Sequence, residues 1–116
     1  MAGADVLRHR LRSDLTEAMR MGERDRIALI RSLLSALSNA EAVDSPHGSE
    51  PVPFGTAEAV RRELTTADAI AILERERGER SSVLADYRRH DDPSHAVRLQ
   101  AEIDLLDRYL GLIATV

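Results

Sequence analysis

The sequence predicts an all-α protein, an antiparallel bundle of about four main helices arranged as two helical hairpins joined by a flexible loop. Three observations support this fold. Aliphatic residues recur at spacings of three and four residues in four separate stretches. Aromatic residues make up only 3% of the chain, which disfavours a β-sandwich, and the prolines concentrate in one central segment. With 116 residues, 43% of them hydrophobic, we expect a single domain over residues 1–116.

The first two predicted helices form a hairpin with a very short link. Helix one spans about residues 4–21, and its apolar stripe consists of Leu7, Leu11, Leu15 and Met19. Gly22 then favours a helix end. Helix two spans about residues 23–42, with a stripe of Ile27, Ile30, Leu34 and Leu37, widened by Leu33 and Ala36. A link this short makes the two helices antiparallel neighbours.

The central segment is predicted to connect the two hairpins. Residues 44–56 contain three of the four prolines and lack periodicity, so we expect a flexible loop there. Residues 57–63 are compatible with a short helix that depends on packing.

The second hairpin comprises two longer predicted helices. Thr65 and Asp68 have the spacing of a capping box, which predicts a third helix over about residues 66–90. A fourth is predicted over about residues 94–111, with Ser94 as its N-cap and Gly111 at its end.

Composition excludes several classes of function. The chain has no cysteine, which excludes disulfides, thiolate catalysis and the usual structural zinc sites. No apolar run approaches the roughly 20 residues of a membrane span, so we expect a cytoplasmic protein with no membrane partner. The net charge of −4 disfavours a broad nucleic-acid footprint but leaves local basic patches open.

The charged middle of helix three is the main candidate site. Arg77 and Arg80 occupy a face on which apolar residues were expected. One interpretation is a groove in which Glu76 and the two arginines bind an anionic ligand. The other is an internal ion-pair network, with Arg31 paired to Glu76 and Glu102 paired to Arg80. Gly78 marks either a close helix crossing or a tolerated surface position.

Other groups carry weaker signals. Helix one is rich in basic residues, a pattern compatible with phosphate binding or with an ordinary solvated surface. The histidines and aspartates at residues 90–95 have the ligand types of a metal site but no visible supporting residues. We therefore assign no catalytic residue, cofactor or metal ligand.

The order and spacing of several residues resemble the GatB/YqeY family over nearly the whole chain. In the first hairpin these residues are Leu11, Asp14, Ala18, Met19, Asp25, Arg31, Ser35, Asn39 and Glu41. In the second they are Leu64, Thr65, Leu73, Arg75, Glu76, Arg80, Glu102, Leu106, Tyr109 and Leu110. Members usually continue past a YLP-like motif into a second small helical domain. Because this chain reads YLG at 109–111 and stops at Val116, we expect only the amino-terminal helical part.

The resemblance implies kinship with the tail region of the B subunit of a tRNA-dependent amidotransferase. That enzyme, a glutamine-dependent carbon–nitrogen ligase, converts misacylated Glu-tRNA or Asp-tRNA to the amide form. Its tail is thought to help hold tRNA, while the chemistry occurs elsewhere. The resemblance therefore implies a non-catalytic accessory module that has activity only as part of such a system.

Two functional hypotheses follow. In the first, the module binds tRNA or an RNA-handling protein through a shared constellation of Arg31, Glu76 and Arg80. In the alternative, the chain is a protein-interaction or dimerisation domain without nucleic-acid binding, which is compatible with a homo-oligomer and with the acidic net charge.

Overall fold

The computed structural model describes residues 2–42 and 62–116, which form four α-helices. These are α1 (Gly3–Met21), α2 (Arg24–Glu41), α3 (Thr66–Arg89) and α4 (Pro93–Ala114). The predicted all-α bundle is confirmed. The most extensive pairings are α3 with α4 and α1 with α2, as expected for two hairpins. The predicted loop at 44–56 lies outside the described residues, as does most of the predicted short helix; its last two residues, 62 and 63, are not helical.

Local capping residues set two of the helix boundaries as predicted. Gly22 has a φ of 70°, and the backbone N–H of Gly22 and of Glu23 donate to carbonyls of the last turn of α1. At the start of α3, the Thr65 hydroxyl accepts from the Asp68 N–H at 3.0 Å, and the Asp68 carboxylate accepts from the Thr65 N–H at 2.9 Å. This is the predicted capping box.

The predicted boundaries of α4 were wrong at both ends. Asp92, not Ser94, is the N-cap, and its carboxylate accepts from the His95 N–H at 3.4 Å. Pro93 follows as the first helical residue, a position where its missing N–H costs nothing. At the other end α4 continues through Gly111 to Ala114. Ile113 is fully buried, and its packing holds the extra turn in place.

The core consists of a large cluster and a small one. The large cluster takes residues from all four helices, including Leu11, Leu33, Leu73 and Leu106. The small cluster, Leu84, Leu99 and Ile103, lies within the second hairpin. The charged middle of α3 separates the two clusters along the helix, so the gap in its apolar pattern corresponds to a gap in the core.

One residue of the predicted stripe on α1 does not join the core. Met19 is 53% exposed, whereas Ala18 is fully buried. The reason is geometric, because a spacing of four residues advances about 40° more than one turn at each step. After three steps from Leu7 the stripe has turned away from the core.

Two polar contacts tie α1 to the second hairpin. The Tyr109 hydroxyl donates to Asp14 Oδ2 at 2.7 Å, and Tyr109 is only 3% exposed. Burial raises the pKa of this phenol well above its usual value, and the hydrogen bond to Asp14 raises it further. At the start of α1, the Gly3 N–H donates to the Thr66 hydroxyl at 2.8 Å. No described helix is long and apolar enough to cross a membrane.

Candidate functional site

Glu76 and Arg80 lie together in the middle of α3, where they form an ion pair. Arg80 Nη1 donates to Glu76 Oε2 at 2.8 Å and to the Glu76 carbonyl at 3.0 Å. Arg80 Nε lies 3.9 Å from Glu102 Oε2 on α4. The three side chains are mostly buried, with exposed fractions of 15–20%. The predicted pairing of Glu102 with Arg80 is therefore confirmed, and Arg80 joins α3 to α4.

Arg31 does not belong to this cluster. The predicted Arg31–Glu76 ion pair is absent from the described part of the chain, because Arg31 lies on the exposed side of α2. Its Nη2 atom is instead 4.0 Å from the Met19 sulfur of α1. The expected constellation thus divides into the Glu76–Arg80 pair and a separate exposed arginine.

Arg77, the other arginine of this face, is also held by α4. Its Nε atom donates to Asp107 Oδ1 at 2.6 Å, and this hydrogen bond raises the pKa of the guanidinium. Gly78 lies between these bridges with nothing within 4 Å of the position a Cβ would occupy. It is a surface position and not a helix crossing.

An open groove between α2 and α3 borders the Glu76–Arg80 pair. We call it the α2–α3 groove; one part has a volume of about 480 Å³ and is lined by Ser32, Ser35, Ala36, Asn39, Ala40, Ile72, Arg75 and Glu76. Ser32 and Glu76 also line its continuation, where Arg80 and Glu102 lie. The side chains of Ser35, Asn39 and Arg75 have no hydrogen-bond partner among the described residues and are exposed.

Sequence reasoning assigned Glu76 and Arg80 to a candidate site but not the polar groove residues of α2. Ser32, Ser35 and Asn39 recur at intervals of three and four residues, so a polar stripe accompanies the apolar stripe of α2. That periodicity was the available signal, but which helix faces the stripe depends on how the hairpins pack.

A line of exposed arginines runs over the first hairpin. Arg12 precedes Met19, and Arg24 precedes Arg31, by seven residues or two helical turns, so each pair shares a helix face. Because Arg31 contacts Met19, the two faces adjoin. We call Arg12, Arg24 and Arg31 the arginine line. The line extends roughly 10 Å along α2 from Arg24 to Arg31, at 1.5 Å per residue. Because α1 and α2 are antiparallel and joined by only two residues, Arg12 lies at nearly the same height as Arg31.

The three arginines of the line form no ion pair with any described residue. Other arginines of this hairpin do pair with its carboxylates. Arg8 pairs with Asp5 and with Glu41, and Arg26 pairs with Glu23 at 3.2 Å. The line therefore presents positive charge that is not neutralised within the described hairpin.

A second cleft lies between α2 and α4 and has mixed charge. Its volume is about 590 Å³, with Leu29, Ala101 and Leu105 among its apolar lining. Its charged residues are Glu23, Arg24, Asp25, Arg26, Arg98, Glu102, Asp104 and Arg108, four of each sign. Such a balance does not select a strongly charged ligand.

The histidines of the α3–α4 turn have structural contacts. His95 Nδ1 lies 2.9 Å from Asp92 Oδ2, a hydrogen bond that lowers the pKa of Asp92. The His95 ring stacks on Tyr87, and His90 Nδ1 lies 2.7 Å from the Asp86 carbonyl. Over residues 2–42 and 62–116, no group of three or more histidine or acidic side chains is placed to hold a metal ion.

A protein-family model described as Yqey-like protein matches residues 8–112. The chain belongs to the YqeY-like family. No curated protein and no solved structure matches the chain. The YqeY-like match begins in α1 and ends in α4, so it includes both the α2–α3 groove and the arginine line.

Proposed function

We propose that this YqeY-like chain is a non-catalytic accessory module that binds RNA, with tRNA as the RNA implied by its resemblance to the amidotransferase tail. The observation that carries the proposal is the arginine line. Arginine binds phosphate through a planar fork of donors, and Arg12, Arg24 and Arg31 are exposed without a competing carboxylate partner. Arg24 and Arg31 are about 10 Å apart along α2, and Arg12 lies beside Arg31 on the adjacent helix, so the three suit contacts to neighbouring phosphates of a backbone.

The acidic net charge of the whole chain does not oppose this proposal. Residues 2–42 contain seven arginines and six carboxylates, whereas residues 62–116 contain eight arginines and eleven carboxylates. Exposed charges separated by more than about 8–10 Å are largely screened at physiological salt. The first hairpin can therefore attract phosphate outside the α2–α4 cleft, in which Arg24 shares the lining with Glu102 and Asp104 of the acidic second hairpin.

The proposal is tested by titrating fluorescently labelled tRNA with the protein at two salt concentrations and following anisotropy. We expect saturable binding that weakens with salt, because each neutralised phosphate releases counterions. Replacing both Arg24 and Arg31 by alanine should weaken binding and lower the salt dependence. The matched control replaces Arg88 and Arg89 at the end of α3, which are exposed, lie outside the cleft that Arg24 lines, and remove the same charge. An absence of binding at low salt, or an equal loss in the control, would contradict the proposal.

The α2–α4 cleft favours a second candidate function, a protein-interaction or dimerisation domain. Its apolar floor and alternating rim charges suit an amphipathic helix of mixed charge. The oligomeric state across a range of protein concentrations tests self-association. If a dimer forms, Leu105→Asp should dissociate it, and the dimerisation constant of the wild type should change little with salt. A monomer at all concentrations would exclude self-association as the function of the cleft.

A further inference from the structure

The α2–α3 groove differs in chemistry from the arginine line that adjoins it. Its α2 wall carries uncharged hydrogen-bonding groups, Ser32, Ser35 and Asn39, and its floor consists of Ala36, Ala40 and Ile72. Ser32 follows Arg31 directly, and Ser35 is one helical turn from it. A polymer that contacts Arg31 through a phosphate therefore lies within reach of the groove.

Charge determines which part of a nucleotide suits the groove. Glu76, Glu79 and Glu102 line its continuation, and only Glu76 and Glu102 have Arg80 beside them. Carboxylates repel phosphate, but their oxygens accept hydrogen bonds from the amino groups of bases. The phosphate is thus favoured at the arginine line, and the neutral base is favoured in the groove.

We propose that the α2–α3 groove binds an unpaired nucleobase of single-stranded RNA whose phosphates contact the arginine line. This inference rests on the proposed RNA-binding function and names the form of RNA that the module recognises. Asn39 recognises the base, because its amide NH2 donates a hydrogen bond and its carbonyl oxygen accepts one. Adenine offers the complementary pair, a ring nitrogen that accepts and an amino group that donates. Arg75, exposed and without an ion pair among the described residues, covers the base with its planar guanidinium.

The dimensions and the composition of the groove agree with this occupant. A volume of about 480 Å³ accommodates one base with its ribose, and the alanines at 36 and 40 leave the floor open to a flat ring. The described residues that line the groove include no aromatic side chain, so they do not supply the usual stacking platform. Recognition therefore depends on hydrogen bonds to the base edge, which an RNA duplex does not expose in the same way.

The test compares a labelled adenine-rich single-stranded RNA with an RNA duplex of the same length, both titrated by anisotropy over a series of salt concentrations. The variants are Asn39→Ala for the groove, Arg31→Ala for the arginine line and Ser13→Ala as an exposed control on α1. Asn39→Ala should weaken single-strand binding about tenfold and leave both duplex binding and the salt slope unchanged. Arg31→Ala should weaken both RNAs and reduce the single-strand slope of log K against log salt by about 0.7.

The outcomes separate this inference from the function on which it rests. Tighter binding of the duplex, or an equal effect of Asn39→Ala on both RNAs, would overturn the groove assignment while salt-dependent binding still supported the arginine line. No binding of either RNA by the folded wild-type protein would overturn both. Circular dichroism establishes that each variant is folded.

Discussion

The hydrogen bond between Tyr109 and Asp14 connects α4 to α1 across 95 positions of sequence, so Tyr109→Phe should destabilise the fold measurably. A hydrogen bond to a charged group contributes about 1.5–3 kcal/mol. The Asp14 side chain retains 17% exposure and lies 3.9 Å from Arg26 Nη2, so water and the guanidinium compensate for part of the loss. We expect the free energy of unfolding to fall by about 1.5 kcal/mol, which corresponds to a Tm lower by roughly 6 °C in a chain of this size.

The assay is urea unfolding at neutral pH, followed by circular dichroism, for wild type, Tyr109→Phe, Asp14→Ala and the double variant. A coupling energy of about 1 kcal/mol in this cycle would assign the effect to the pair. Tyr87→Phe is the matched control, since its hydroxyl has no hydrogen-bond partner among the described residues, and it should change stability by less than about 0.5 kcal/mol. The reasoning would be refuted if the unfolding free energy of Tyr109→Phe lay within about 0.5 kcal/mol of wild type. It would also be refuted if the free-energy changes of Tyr109→Phe and Asp14→Ala simply added in the double variant.

The same contact predicts a dependence on alkaline pH. The pKa of the Tyr109 phenol is raised in the folded state, so the folded protein holds this proton more tightly than the unfolded chain. Its contribution to stability is complete below the unfolded pKa of about 10 and is lost as pH rises above that value. Wild type should lose up to about 1.4 kcal/mol per pH unit there from this group, and Tyr109→Phe should lack that loss.

Three further substitutions test other parts of the structure by the same unfolding assay. Arg80→Ala should cost roughly 2 kcal/mol, because Glu76 and Glu102 lose their shared cation, whereas the exposed control Arg75→Ala should cost less than about 0.5 kcal/mol. Equal effects would contradict the network. Gly78→Ala should stabilise by up to about 1 kcal/mol, since the added methyl meets open space, and a loss of stability would show a hidden contact. Gly3→Ala should destabilise by about 1–3 kcal/mol, because its Cβ would lie 2.6 Å from Thr66 Cγ2; a neutral result would mean that the start of α1 shifts freely.

Local signals made most of the helix boundaries predictable. Gly22 and the Thr65–Asp68 capping box act within one turn of the chain, so the sequence shows both partners. The end of α4 was mispredicted because Gly111 only permits a helix to end, while burial of Ile113 against the rest of the bundle favours its continuation. That burial is a tertiary effect, so the local sequence around Gly111 does not indicate it.

The contacts of the candidate site also divide into those that local spacing predicts and those that depend on how the helices pack. Glu76 and Arg80 are one helical turn apart, so their pairing follows from spacing alone. The Arg31–Glu76 pair required a specific rotation of α2 against α3. Ser32, about 100° around the helix from Arg31, lines the groove with Glu76 instead, and Arg31 lies on the surface beside Met19. The Asp14–Tyr109 contact depends on packing between the two hairpins, which neither residue signals.

The net charge of this protein differs from the charge that is free of ion pairs. The charge that is free of ion pairs determines which anions its surface can bind. A total of −4 counts every group equally, yet many of the described carboxylates and arginines are engaged with each other. Those arginines serve the fold, since a paired guanidinium must first give up its carboxylate to bind a phosphate. Arg12, Arg24 and Arg31 have no such partner in the described helices, so a phosphate that met them would displace no carboxylate. Which arginines are free, more than how many there are, determines whether the first hairpin attracts an anionic polymer.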